Sequence, residues 1–225
     1  IYTASSCAGI KRGMRFISDI NGKLFFVFLG FVFIVGPTIF NINLGLEALA
    51  NYIESFFSRH LFLAPISGDS FPRIWTLFFF AIWYAWAPVT GMFLARMAYG
   101  RTVRQFAVMN LLLPSAFGMV WFTLFGGTAI HMEVVQNLGI AKILSEKGVE
   151  AAMFAFLNFL PLAKITVPAF FVVIVLSFCT TADAMTSTVA MMCTTADAMK
   201  GEEEAPVMLK LGWGVVMGLI AWIVI

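Results

Sequence analysis

Long apolar runs without Asp, Glu, Lys or Arg occupy positions 24–42, 74–95, 106–130, 165–182 and 211–225. A helix needs about 20 mostly apolar residues to cross the hydrocarbon core. The runs are continuously apolar, not alternating, so helices and not barrel strands are the way they satisfy their backbone in lipid. Admitting Asp183 extends the fourth run, and a few flanking residues extend the fifth. The predicted spans are about 24–42, 74–95, 106–130, 165–193 and 207–225. Segment 43–58 differs. Leu46, Leu49, Tyr52, Ile53, Phe56 and Phe57 recur at helical spacing, and Glu47, Asn51, Glu54, Ser55 and Ser58 fill the other face. This predicts an amphipathic helix along the membrane interface. The pattern also fits a loop helix packed on the membrane domain.

Composition turns this pattern into a class. Of 225 residues, 61% are hydrophobic and 12% charged, and the mean hydropathy is +0.93. A soluble domain is about half apolar and about a quarter charged. The 25 Phe and 6 Trp also exclude a solvated, disordered chain. The formal charge of +2 offers no basic stripe for nucleic acid. Cys7, Cys179 and Cys193 cannot all pair and are expected to be free thiols. The chain starts at Ile1 and ends in an apolar run, with no signal peptide, and is expected to be an internal piece of a longer protein.

Basic residues near span ends set orientation. Five spans put Lys11, Arg12, Arg15, Lys23, Arg96, Arg101, Arg104, Lys200 and Lys210 on one side, and Arg59, Arg73, Lys142, Lys147 and Lys164 on the other. Nine against five places the first set in the cytoplasm. The amphipathic helix then lies on the outer face.

Two groups within the spans carry candidate chemistry. Phe79, Trp83, Trp86 and Thr90 are spaced 4, 3 and 4, so they share one helix stripe. Trp83 and Trp86 sit at the middle of their run, whereas membrane tryptophans usually belong to the interface belts. Pro88 removes a backbone donor and Gly91 loosens the next turn, which marks a point of flexing. Trp is the best cation–π face for a quaternary ammonium, which has no N–H to donate. On spacing alone, helix packing by bulky aromatics is the preferred explanation of the stripe. Ser177, Thr180 and Thr181 stand at i, i+3 and i+4, which puts three hydroxyls on one face. Hard cations take oxygen ligands of this kind. The competing reading is hydroxyls bonded back to their own helix carbonyls.

The other polar features carry less. Asp183 is an in-membrane carboxylate, a functional hint, or a residue with water access at the cytoplasmic end. Cys-Thr-Thr-Ala-Asp-Ala-Met occurs at 179–185 and again at 193–199, an offset of nearly four turns. His60 and His131 have no metal-ligand spacing around them, so no transition metal is expected. No glycine-rich nucleotide loop is present.

Trp83-Tyr84-Ala85-Trp86-Ala87-Pro88-Val89-Thr90-Gly91-Met92-Phe93-Leu94-Ala95-Arg96 resembles the signature helix of the betaine–choline–carnitine transporter (BCCT) family. So do Gly100-Arg101-Thr102-Val103-Arg104, Trp121-Phe122-Thr123-Leu124-Phe125-Gly126-Gly127-Thr128, Val35-Gly36-Pro37-Thr38, residues 13–21, and Thr180-Thr181-Ala182-Asp183. The resemblance implies an all-α membrane protein with a LeuT-like core of two inverted repeats, of which this chain holds most of the second. It implies a secondary transporter of quaternary ammonium compounds such as glycine betaine, choline or carnitine, working by alternating access with sodium as coupling ion and with no other cofactor. Trp83 and Trp86 match the aromatic positions of the substrate path, and Phe79 lies on their stripe. Thr180 and Thr181 match a sodium-binding hydroxyl pair, and Ser177 falls where a backbone carbonyl contributes. Segment 43–58 matches an interfacial helix that takes part in homotrimer contacts. The expected setting is the bacterial inner membrane, with lipid, substrate and sister subunits as partners and no nucleic acid. Ile82 replaces the first Trp of a frequent pair, Thr181 and Ala184 stand where Ser is common, and Gln105 replaces a usual Glu.

Sodium-independent exchange is the alternative within the family. An enzyme would need convergent titratable groups, and a channel a continuous polar stripe; the spans offer neither beyond Asp183 and residues 177–181.

Overall fold

A computed structural model describes residues 13–62, 66, 68, 70–194 and 205–224. Cys7, Lys11, Arg12, Lys200, the glutamates at 202–204 and most of the second Cys-Thr-Thr-Ala-Asp-Ala-Met copy lie outside the described residues. The helices in chain order are α1 (Arg15–Val35), α2 (Thr38–Glu54), α3 (Phe56–His60), α4 (Phe78–Met97), α5 (Val103–Ala107), α6 (Leu113–Val134), α7 (Ile140–Phe159), α8 (Ala163–Met192) and α9 (Val207–Val224). π-Helical turns at Pro72–Leu77 and Val108–Leu112 lead into α4 and α6. No strand occurs among the described residues.

Four helical segments are long and apolar enough to cross a membrane: Arg15–Val35, Ile74–Met97, Val103–Val134 and Ala163–Met192. The fifth expected span falls on α9, whose apolar part, Val207–Ile223, is shorter. The run at 24–42 is not one helix. Gly36 and Pro37 end α1, because Pro37 has no N–H to continue the ladder. The chain restarts at Thr38, whose hydroxyl turns back to the carbonyls of Phe33 and Gly36. The expected interfacial segment 43–58 therefore belongs to α2, which begins earlier, and to α3 beyond Ser55.

The chain forms two compact units. Unit 1 takes residues 1–23, 73–100 and 173–225; unit 2 takes 24–72 and 101–172. Unit 2 has an aromatic core. Trp121 stacks on Phe125 at 4.1 Å, Phe25 meets Trp121 edge-on at 5.0 Å, and Phe28 meets Phe170 at 5.4 Å. Phe156 of α7 is buried and meets Phe125 at 6.1 Å, and Leu157 is also buried. α7 itself lies in a stretch that the apolar runs pass over. Its first half carries Lys142, Glu146 and Lys147, and Gly148 interrupts it at φ +88°. At α2, Asn41 is fully buried and donates to Thr128 Oγ1 of α6 at 2.9 Å. The approach is tight enough that a Cβ on Gly127 would meet Asn41 Oδ1 at 2.6 Å, and one on Gly45 would overlap the Thr123 methyl. Beyond Gly45, Leu46, Leu49, Tyr52, Ile53, Phe56 and Phe57 are all exposed.

Unit 1 buries mostly small and polar groups. Val173, Cys179, Ala184 and Ala190 are buried with Asn21, Asp183, Thr186, Ser187, Thr188 and Lys210. Helix α4 buries none of its residues within the unit.

Candidate functional site

The aromatic stripe lies on α4. Its helix is almost wholly apolar, so nothing in its own sequence selects one face for a core. Phe79, Trp83 and Trp86 are 50%, 65% and 45% exposed. Phe79 stacks on Trp75 one turn below, with centroids 5.9 Å apart. Trp83 and Trp86 make no ring contact among the described residues, so both indole faces are open to a ligand, to lipid or to another helix. α4 runs as continuous helix through Pro88 and Gly91, and a Cβ on Gly91 would meet nothing within 4 Å.

The hydroxyl group lies on α8. Thr180 Oγ1 donates to the Ser177 carbonyl at 2.8 Å and Thr181 Oγ1 donates to the same oxygen at 3.1 Å. Three oxygens are thus gathered within one turn. The back-bonding expected of mid-helix Thr is present. Each hydroxyl oxygen keeps lone pairs for a cation, whereas the Ser177 carbonyl is already doubly engaged by side chains. Thr181 is exposed and Thr180 half-buried.

One residue of this cluster is absent from the sequence reading. Asn21 of α1 is 8% exposed, and its amide brackets the Ser177 side chain: Nδ2 donates to Oγ at 3.1 Å, and Oγ reaches Oδ1 at 3.3 Å. The two are 156 positions apart. Asn21 precedes the apolar run at 24–42, so no local pattern marks it.

Asp183 is 1% exposed and has a partner, which removes the water-exposed reading. Lys210, counted above as a charge at the membrane surface, is 2% exposed and also has a partner. One turn past Asp183, Thr186 and Thr188 bond back to Ala182 and Ala184, and Thr186 touches Met217 Sδ of α9 at 3.5 Å. The first repeat copy is inside α8, which ends at Met192, and most of the second copy at 193–199 lies outside the described residues. Cys179 is a buried and Cys193 an exposed free thiol. Among the described residues no three His, Cys, Asp or Glu come together as a metal site. His60 packs against Phe56 and Tyr52, and His131 meets Phe40.

The stripe and the oxygen cluster both belong to unit 1. No hydrogen bond or ring contact among the described residues joins them.

The family model described as "BCCT, betaine/carnitine/choline family transporter" matches residues 1–225. The chain is 31% identical over 220 residues to the ectoine/hydroxyectoine transporter of Virgibacillus pantothenticus, covering 98% of this chain and 43% of that protein. It is 30% identical over 225 residues to a probable glycine betaine transporter of Desulfitobacterium hafniense, covering 100% of this chain and 44% of that protein. It is 27% identical over 223 residues to the osmo-independent choline transporter BetT1 of Acinetobacter baylyi, covering 98% and 42%. The chain thus spans less than half the length of these curated relatives.

Proposed function

The chain belongs to the betaine/carnitine/choline transporter family, and on that premise we propose that it forms part of a sodium-coupled secondary transporter of quaternary ammonium compounds working by alternating access. The observation that carries this reading is the pair of open indole faces, Trp83 and Trp86, on an apolar span-length helix. A trimethylammonium group gains from an indole face and asks for no hydrogen-bond acceptor. It docks on Trp83, with Trp86 and Phe79 lining the same stripe. Pro88 and Gly91 give α4 the compliance to follow the alternation.

Sodium is held by the hydroxyl oxygens of Thr180 and Thr181. The Ser177 carbonyl joins them once the hydroxyls turn outward. Occupied, the site favours one conformation and so couples the gradient to uptake. The remaining ligands come from residues outside this chain, in a LeuT-like core of inverted repeats. The relatives are bacterial, and the proposed setting is the bacterial inner membrane. The exposed apolar face of α2 and α3 lies at the interface and contributes to a homotrimer.

Uptake of labelled glycine betaine by the full-length protein tests this. Trp83→Ala should weaken substrate affinity and Thr181→Ala sodium dependence. Wild-type uptake and sodium dependence in both variants would sink the assignment. Sodium-independent exchange is the second reading. It is favoured by the double engagement of the Ser177 carbonyl, which leaves both hydroxyls locally satisfied. Full uptake without sodium, driven by internal substrate, would establish it.

A further inference from the structure

Helix α4 carries one polar side chain on its aromatic stripe. Thr90 stands four positions after Trp86 and seven after Trp83, so its hydroxyl shares their face, one turn further along. The other polar residues of α4 lie elsewhere. Tyr84 is about 100° round the helix from Trp83, and Arg96, which has a partner, is in the last turn. Thr90 is half-buried. Its hydroxyl makes no hydrogen bond among the described residues, although the Trp86 carbonyl stands one turn back. A threonine inside a helix commonly bonds back to such a carbonyl. Thr166, Thr180, Thr181, Thr186 and Thr188 of α8 all do so. Thr90 departs from that pattern where its hydroxyl faces the same side as two open indoles.

We propose that Thr90 selects the substrate, an inference that rests on the aromatic reading of Trp83 and Trp86: its hydroxyl bonds the oxygen at the far end of a quaternary ammonium compound whose cationic head lies on the indoles. The favoured class is a trimethylammonium with a carboxylate on a short arm. The reach fits. Four residues rise about 6 Å along the helix, about the length of such an arm plus one O–H···O bond of about 2.7 Å. A hydroxyl donates to a carboxylate, and either donates to or accepts from an alcohol. The bond to the charged acceptor is the stronger of the two. Glycine betaine therefore depends on Thr90 more than choline does, and tetramethylammonium, which has no oxygen, does not depend on it at all.

The test uses the full-length protein in proteoliposomes. Unlabelled glycine betaine, choline and tetramethylammonium compete for uptake of a trace of labelled glycine betaine. Their half-inhibiting concentrations do not depend on the amount of active transporter. Thr90→Val keeps the shape and removes the hydroxyl. It should raise the value for glycine betaine about tenfold or more and that for choline about twofold to tenfold, and leave tetramethylammonium unchanged. Thr90→Ser keeps the hydroxyl and should match wild type for all three. Quenching of tryptophan fluorescence by the same probes scores a variant that binds without transporting. Trp83→Ala should weaken all three alike. If it weakens none, the aromatic reading falls and the role of Thr90 falls with it. If it weakens all three while Thr90→Val weakens none, or all equally, Thr90 alone is overturned. A Thr90→Ser variant as defective as Thr90→Val would make the role steric and overturn it too.

Discussion

The Asn41 amide donates to the Thr128 hydroxyl across 2.9 Å, and the two residues are 0% and 1% exposed. The bond ties the start of α2 to the middle of α6. It fixes the direction in which the chain leaves the Gly36-Pro37 break, and hence where the exposed apolar face of α2 is carried. Interhelical hydrogen bonds in membrane proteins are worth about 0.6–2 kcal/mol. Thr128→Val keeps the shape and removes the nearer acceptor, leaving the Asn41 amide only its 3.5 Å bond to the Leu124 carbonyl. It should lower unfolding stability in detergent by about 1–2 kcal/mol. Thr123→Ser, a smaller change at the exposed-to-half-buried margin of the same contact, should cost less. Equal stability of Thr128→Val and wild type would remove the bond from the account.

Two adjacent glycines give a paired comparison. A Cβ on Gly127 would lie 2.6 Å from Asn41 Oδ1, whereas one on Gly126 would meet nothing within 4 Å. Gly127→Ala must displace a fully buried side chain and should cost about 1–3 kcal/mol. Gly126→Ala should be neutral or gain up to about 1 kcal/mol from helix propensity. Thermal unfolding of the two variants side by side checks the packing of α2 on α6. Equal effects would refute it.

The hydropathy pattern made most of this fold legible, because a lipid-facing helix declares itself by length and apolarity. It did not reveal α7. Lys142, Glu146, Lys147 and Glu150 give that segment the look of a loop, and its buried residues, Ala152, Phe156 and Leu157, come only after the Gly148 kink. It also joined 24–42 into one run, since hydropathy registers Gly36 and Pro37 as uncharged and not as a stop. In the site, the i, i+3 and i+4 spacing brings the Thr180 and Thr181 hydroxyls to the Ser177 carbonyl, whereas the Ser177 hydroxyl is bonded to Asn21. Asn21 and Lys210 were not legible as site and interior residues. Their environments are set by distant helices, and local pattern says nothing about a contact 156 residues away.

The open face of Trp83 makes a specific kinetic prediction. Cation–π contacts contribute about 0.5–2 kcal/mol, so Trp83→Ala should raise the KM for a quaternary ammonium substrate about 2- to 30-fold. Trp83→Phe keeps a weaker face and should lie between. Trp121→Phe, in the aromatic core of unit 2, should lower stability and leave the KM alone. Equal KM values for Trp83→Ala and wild type would take the indole out of the substrate path.

Asn21 should act on sodium and not on substrate. Its amide brackets the Ser177 side chain at 3.1 and 3.3 Å, and the Ser177 carbonyl is the atom on which Thr180 and Thr181 converge. At the proposed sodium site Asn21 is expected to act as a positioning residue, holding the turn that presents the oxygens. Asn21→Ala removes up to two hydrogen bonds, each worth about 0.5–1.5 kcal/mol. The half-saturating sodium concentration should rise about threefold to tenfold, while the KM for substrate at saturating sodium stays put. A merely structural role would lower the amount of active transporter without moving the sodium curve. Because Ser177 is the partner, Asn21→Ala and Ser177→Ala should be non-additive: the double variant should shift the sodium curve little further than either single one. Additive shifts would mean that the two residues act separately, and the Asn21–Ser177 contact would then have no part in ion binding.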